Sequence, residues 1–138
     1  MKKEINIDLG LLILRIAIGG LMLFHGLDKA QAPAETINHM AEVMRESNLP
    51  GFLAYGVFLG ELIAPLLILF GFRTKLFSSL IVITMIVAII TRHFNDIFTL
   101  GGSGGWGIEL QALYLLGALA LTFTGAGRIA VSHKSKWD

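Results

Sequence analysis

Arg15, His25, Lys29, Glu61, His93 and Glu109 are ionisable residues set within, or at the ends of, long apolar runs. In a bilayer such residues are costly: a central arginine costs about 2.5–3.5 kcal/mol on insertion scales, so it normally faces other helices and finds a partner. Arg15 is the second residue of "LRIAIGGLMLFHGLDK", and Glu61 is the second residue of "GELIAPLLILFGFRTK". At 1.5 Å per residue, Arg15 lies about 15 Å below His25, and Glu61 lies a similar distance below Gly51. The spacing therefore predicts a buried Arg15–Glu61 ion pair. Pro65 denies the Glu61 carbonyl its usual intrahelical partner, and Gly56, Gly60 and Ala64 form a small-residue face for close helix contact.

A second group gathers at the other end of the apolar runs. His25, Asp28 and Lys29 close the first, Arg92 and His93 close the third, and Glu109 opens the fourth. On a helical wheel Arg15, Met22, Gly26 and Lys29 share one face, with His25 at its edge. If these faces turn inward, His25, Lys29, His93 and Glu109 line the outer mouth of a bundle. That set suits an amphipathic ligand such as a quinone, with an imidazole or carboxylate exchanging its protons. The plainer reading is interfacial snorkelling and helix capping. Haem held by His25 and His93 ranks last, because residues at helix ends fix ring geometry poorly. His39 and His133 sit in polar segments and suggest no site, and no metal-ligand spacing is present.

Of the 138 residues, 54% are hydrophobic and 15% are charged, with a mean hydropathy of +0.71. Soluble domains run at roughly 45–50% apolar and about 25% charged, so the composition indicates an integral membrane protein with the lipid bilayer as its first partner. The length allows one domain, residues 1–138. A net charge of +1 with no basic stripe gives no reason to expect nucleic acid. With no cysteine, thiol–disulfide exchange, cysteine-ligated zinc and iron–sulfur clusters are excluded unless a partner brings the thiols.

Four spans are expected near residues 9–27, 52–72, 76–91 and 107–123, the last two slightly short of the ~20 residues a crossing needs. Residues 33–48 carry Ile37, Met40, Val43 and Met44 at helical spacing in a polar background, the pattern of a short amphipathic helix between spans 1 and 2. Lys2, Lys3, Arg73, Lys75, Arg128, Lys134 and Lys136 fall on one side, against Lys29, Arg45 and Arg92 on the other. The positive-inside bias then puts both termini in the cytoplasm. Lys2 and Lys3 ahead of an apolar stretch also fit a signal peptide. Arg15 interrupts that stretch, however, and Pro33 would follow a cut after Ala32, so a retained first span is expected. "LGGSGGWGIE" lacks the Gly-Lys-Ser/Thr ending of a phosphate loop and reads as a flexible outer connection.

The three segments "LRIAIGGLMLFHGLDK", "GELIAPLLILFGFRTK" and "ELQALYLLGALALTFTGAGR" together resemble the DoxX family of small four-helix membrane proteins. The likeness rests on Arg15, Gly26 and Lys29 at their spacing, Glu61 with Gly71, Glu109, and the closing Thr124-Gly125-x-Gly127-Arg128. Ala126 stands where the family often has proline. The resemblance implies an all-α, four-transmembrane-helix bundle, and a role as a component of quinone-linked oxidoreductase systems. It also marks Arg15, Glu61, His93 and Glu109 as positions of the family's polar pattern. The chain itself shows no nucleotide, flavin or metal motif.

The expectation is thus a multi-pass protein of a prokaryotic cell (inner) membrane, serving as a subunit of a membrane redox system. It would bind a quinone, draw electrons from a redox partner protein, and be able to form a homo-oligomer. Two other classes compete with this. One is a non-catalytic scaffold whose polar core only specifies packing. The other is a proton-coupled small-solute transporter, for which four spans leave little room and no internal repeat speaks.

Overall fold

The structure is a computed structural model that describes residues 2–102, 104–132 and 134–138, with side chains from Glu4 onward. His133, given no role above, lies outside the described residues. The described residues form five helices and no strand beyond an isolated bridge between Leu100 and Trp106. Helix α1 covers residues 2–30, α2 is Pro33–Glu46, α3 is Gly51–Phe70, α4 is Thr74–Arg92 and α5 is Glu109–Thr124. A short 3-10 turn, Asn95–Phe98, follows α4.

Three of these, Glu4–Ala30 within α1, α3 and α4, are long and apolar enough to cross a membrane. Helix α5 is equally apolar but has 16 residues, about 24 Å at the α-helical rise. Their outward faces carry Ile13, Leu27, Ile63, Ile83, Ile90 and Leu116, all exposed. Large aliphatics left uncovered along every long helix are what a lipid-facing surface requires. The expected amphipathic helix is present as α2, which starts with Pro33 at its first turn and buries Ala41 and Met44. Helix α1 begins well before the predicted residue 9. Its polar first turns are held because Asp8 accepts hydrogen bonds from the Arg128 backbone N–H (2.9 Å) and Nε (2.6 Å).

Helices α1 and α3 cross closely because side chains are missing where they meet. A Cβ on Gly19 would lie 2.8 Å from the Pro65 carbonyl oxygen, and one on Gly26 would lie 2.6 Å from the Glu61 carbonyl carbon. Both helices widen into a π-helical turn at this crossing, Ile16–Gly20 and Leu59–Ile63. In α3 the cause is Pro65, which has no N–H to offer the Glu61 carbonyl. The small-residue face of α3 is divided: Gly60 packs against Thr84 of α4 and Ala64 is fully buried, whereas nothing lies within 4 Å of the Gly56 position. Gly26→Ala is expected to force α1 off α3 and lower the unfolding temperature, while Gly56→Ala, facing open space, leaves it unchanged. Equal melting of the two variants in detergent would refute this account of the crossing.

Helix α3 ends in a Schellman turn. Gly71 adopts φ +73°, its N–H bonds to the Ile68 carbonyl, and the Phe72 N–H bonds to the Leu67 carbonyl. The tail then returns to this end: Val131 N–H donates to the Phe70 carbonyl and Ser132 N–H to that of Gly71. The carboxylate of Asp138 accepts from the Ser132 hydroxyl (2.9 Å) and the Ser135 N–H (2.5 Å), closing the tail on itself.

Candidate functional site

Arg15 emerges from α1 2% exposed, and it does not pair with Glu61. Its Nε donates to the Ile68 carbonyl (3.0 Å) and its Nη2 to the Leu69 carbonyl (2.9 Å). Its Nη1 serves Ala126 (3.0 Å) and Ile129 (2.5 Å). Two of these acceptors belong to the last turn of α3, whose carbonyls have no intrahelical N–H and carry the negative end of the helix dipole. The other two lie in the tail. The predicted pair fails because of register. Depth reckoned from the helix ends sets His25 level with Gly51, but the crossing sets Gly26 against Glu61. Helix α2 occupies the connection, so the end of α1 and the start of α3 do not share a level. Arg15 is therefore level with Ile68 and Leu69, seven residues beyond Glu61, or about 10 Å of helix rise.

Glu61 is instead paired with Lys29, the cation that the corrected register brings within reach. The carboxylate is 10% exposed and the ammonium 29%, so the pair is largely withdrawn from solvent. The Lys29 carbonyl also accepts the Thr36 hydroxyl at 3.1 Å, which ties α1 to the start of α2.

This pair lines a cavity of about 580 Å³ formed by α1, α2, α3, α4 and α5, within the ~300–1,000 Å³ range of small-molecule sites. Of the residues singled out from sequence, His25, Lys29, Glu61 and His93 line it together; Arg15 and Glu109 do not. Glu109 heads α5 with its carboxylate turned against Gly105 of the preceding loop, a favourable place for a negative charge at a helix N-terminus. Its neighbours Leu110 and Gln111 reach the cavity in its stead.

Tyr114, His39 and Arg92 converge there as well. Tyr114, on a buried face of α5, meets the His25 ring edge-on with centroids 6.0 Å apart and planes at 90°. Arg92 Nη1 lies 2.7 Å from Nε2 of His39. An arginine only donates, so this imidazole nitrogen is the acceptor. His39 thus belongs to the site, contrary to the reading of its polar segment, because α2 folds over the cavity rather than lying apart from it. His93 turns Nδ1 to the Asp96 carboxylate at 2.8 Å, which leaves Nε2 as its free nitrogen. Sequence carried a signal for His93–Asp96, an i,i+3 pair beyond a helix end. It carried none for His39–Arg92 or His25–Tyr114, whose members are 53 and 89 positions apart.

Between α4 and α5 the glycine-rich loop closes a tight turn. Gly101 N–H donates to the Gly105 carbonyl (2.7 Å), and Trp106 Nε1 donates to the Ile97 carbonyl (2.8 Å); Ser103 lies outside the described residues. Among the described residues no cluster of three His, Cys, Asp or Glu side chains is placed to hold a metal ion.

A family model described as DoxX matches residues 10–94. The chain is also 32% identical over 126 residues to the "Putative oxidoreductase CatD" of Bacillus subtilis (strain 168), covering 91% of this chain and 87% of that one. No solved structure matches.

Proposed function

The chain belongs to the DoxX family, and from that premise we propose that its cavity binds a lipid-soluble carrier of the quinone class as part of a membrane redox system. The observation that carries this is the coincidence, in one 580 Å³ cavity, of a mainly apolar wall with the ion pair of half-buried Lys29 and buried Glu61 and the imidazoles of His25, His39 and His93. An apolar cleft with a few convergent polar groups is the general form of a site for an amphipathic molecule. The name of the Bacillus subtilis relative points the same way.

On this reading Lys29 and His25 donate to the ring oxygens, and so does the Nε2–H of His93 in its imidazolium form, with its Nδ1–H held by Asp96. Asp96 holds the His93 ring in the orientation that presents that nitrogen. Reduction of a quinone to a quinol takes two electrons and two protons. The electrons come from a redox partner protein, and the protons pass through His93 and Asp96, which are partly exposed. Helix α5 counts as the fourth span, and both termini face the cytoplasm of a prokaryotic cell whose inner membrane holds the protein. The cavity, next to the C-terminal end of α1, then opens in the outer half.

Saturable binding of a short-chain quinone to purified protein in lipid nanodiscs is the test. His93→Ala is expected to weaken it about tenfold, the equivalent of one ~1.4 kcal/mol hydrogen bond, with the unfolding temperature unchanged. Absence of saturable binding to wild type, with and without co-purified partners, sinks the proposal and leaves the scaffold class in its place.

A further inference from the structure

Four of the five methionines in this chain line a single cavity. They come from three different helices: Met22 from α1, Met40 and Met44 from α2, and Met85 from α4. Met22, Met44 and Met85 are buried at 2%, 7% and 5% exposure, whereas Arg92 and His39 of the same cavity are exposed. The thioethers of Met22, Met44 and Met85 therefore line the deep part of the cavity, with half-buried Met40 above them and the guanidinium–imidazole contact nearest its surface. Every methionine after Met1 lines this cavity, whereas the other apolar residues of α1 and α4 are mainly leucine and isoleucine.

Methionine differs from leucine in two ways relevant to a ligand wall. Its unbranched chain turns about three bonds, so the wall can reshape around occupants of different outline. Its polarizable sulfur also makes favourable contacts with aromatic rings, most often at the ring edge. His25 and Tyr114, packed edge to face beside the same space, add an aromatic wall that accepts a further ring in offset or T-shaped contact.

We infer that Met22, Met40, Met44 and Met85 form a deformable cage for a flat aromatic ring, so that the cavity selects its ligand by ring character and tolerates a range of ring sizes. The inference rests on reading this cavity as a quinone site and deepens it: the ring, rather than an isoprenoid or alkyl tail, occupies the methionine-lined depth. A head oxygen then faces the shallower Arg92 and His39.

The test uses full-length protein in nanodiscs, labelled with ¹³C at the methionine ε-methyls and assigned through single Met→Leu variants. Three probes are titrated: 1,4-naphthoquinone, 1-methylnaphthalene and 1-decanol. The expected result is ring-current displacement of all four cavity methyls by both naphthalene-based probes and none by decanol. In the Met40→Leu/Met44→Leu protein, whose substitutions conserve volume, naphthoquinone affinity falls roughly four- to a hundred-fold, at about two- to ten-fold per lost sulfur contact. Naphthoquinone binding with unshifted methyls and an unchanged affinity in the double variant overturns the cage but keeps the quinone reading. Methyl shifts with methylnaphthalene alone keep the cage and overturn the quinone reading. No shift with either ring overturns the cage, whatever the quinone binds elsewhere.

Discussion

Arg15→Lys is expected to destabilise the protein by about 3 kcal/mol or more, although it keeps the charge. Arg15 satisfies four carbonyls from two separate segments with one planar fork. A lysine concentrates its three donors at one point and cannot span Ile68, Leu69, Ala126 and Ile129 together. Ile68 keeps the Gly71 N–H, but an ammonium seated at the α3 end leaves the Ala126 and Ile129 carbonyls of the tail without a donor, at about 1–3 kcal/mol each. Arg15→Gln, with two donors and no charge, should be worse. The C-terminal segment should loosen first, because Ala126 and Ile129 lie beyond the last helix and depend on this side chain. Thermal unfolding in detergent reports the total loss, and limited trypsin cleavage after Arg128 reports the release of the tail. Wild-type melting of the lysine variant would show that a point charge at the α3 terminus suffices and that the fork geometry is irrelevant.

Glu61→Gln and Lys29→Met should each be strongly destabilising, by about 3–5 kcal/mol where the surviving charge stays buried. Lys29 is 29% exposed and can turn its ammonium towards solvent, so Glu61→Gln should fall at the lower end of that range. Lys29→Met strands a carboxylate that is 10% exposed and should fall at the upper end. The double variant Lys29→Met/Glu61→Leu is expected to regain most of the loss, since a buried pair replaced by apolar side chains is often neutral. It should nevertheless fail to bind quinone, having lost the donor that orients a ring oxygen. Melting temperatures and quinone titrations of the four proteins separate the two roles. A double variant that is stable and still binds quinone with wild-type affinity would assign the pair to packing alone.

A third result, on Gly71, ties these sites together. A Cβ at this position would stand 2.7 Å from Arg15 Nη2 and 2.6 Å from the Ala130 Cβ, in a left-handed conformation that costs other residues about 1–2 kcal/mol. Gly71→Ala should therefore lower stability through both the turn and the arginine, as a fall in unfolding temperature exceeding that of a Gly→Ala change in an exposed turn. The glycine required by the Schellman turn is also the one that lets the guanidinium reach the α3 carbonyls.

What the sequence determined by itself are the properties that act along one helix. Apolar runs long enough for a bilayer, the 3.6-residue periodicity of Ile37, Met40 and Met44, and Pro65 freeing the Glu61 carbonyl are all local. The helices stand where those signals put them, apart from α1, whose polar start needs Asp8 to meet Arg128, 120 positions away. The sequence also made it necessary that Arg15 and Glu61 each find a partner, because a buried charge without one is too costly to keep. Which partners they took was decided only in three dimensions. The missing Cβ atoms of Gly19 and Gly26 and the presence of α2 in the connection set the register of α1 on α3. That register gave Glu61 to Lys29 and Arg15 to four carbonyls. Backbone acceptors are invisible to any reading of residue types, since every residue has a carbonyl and its type does not say whether the fold leaves it free. The cavity arises in the same way: imidazoles and thioethers scattered over three helices become one site because the chain crosses itself there.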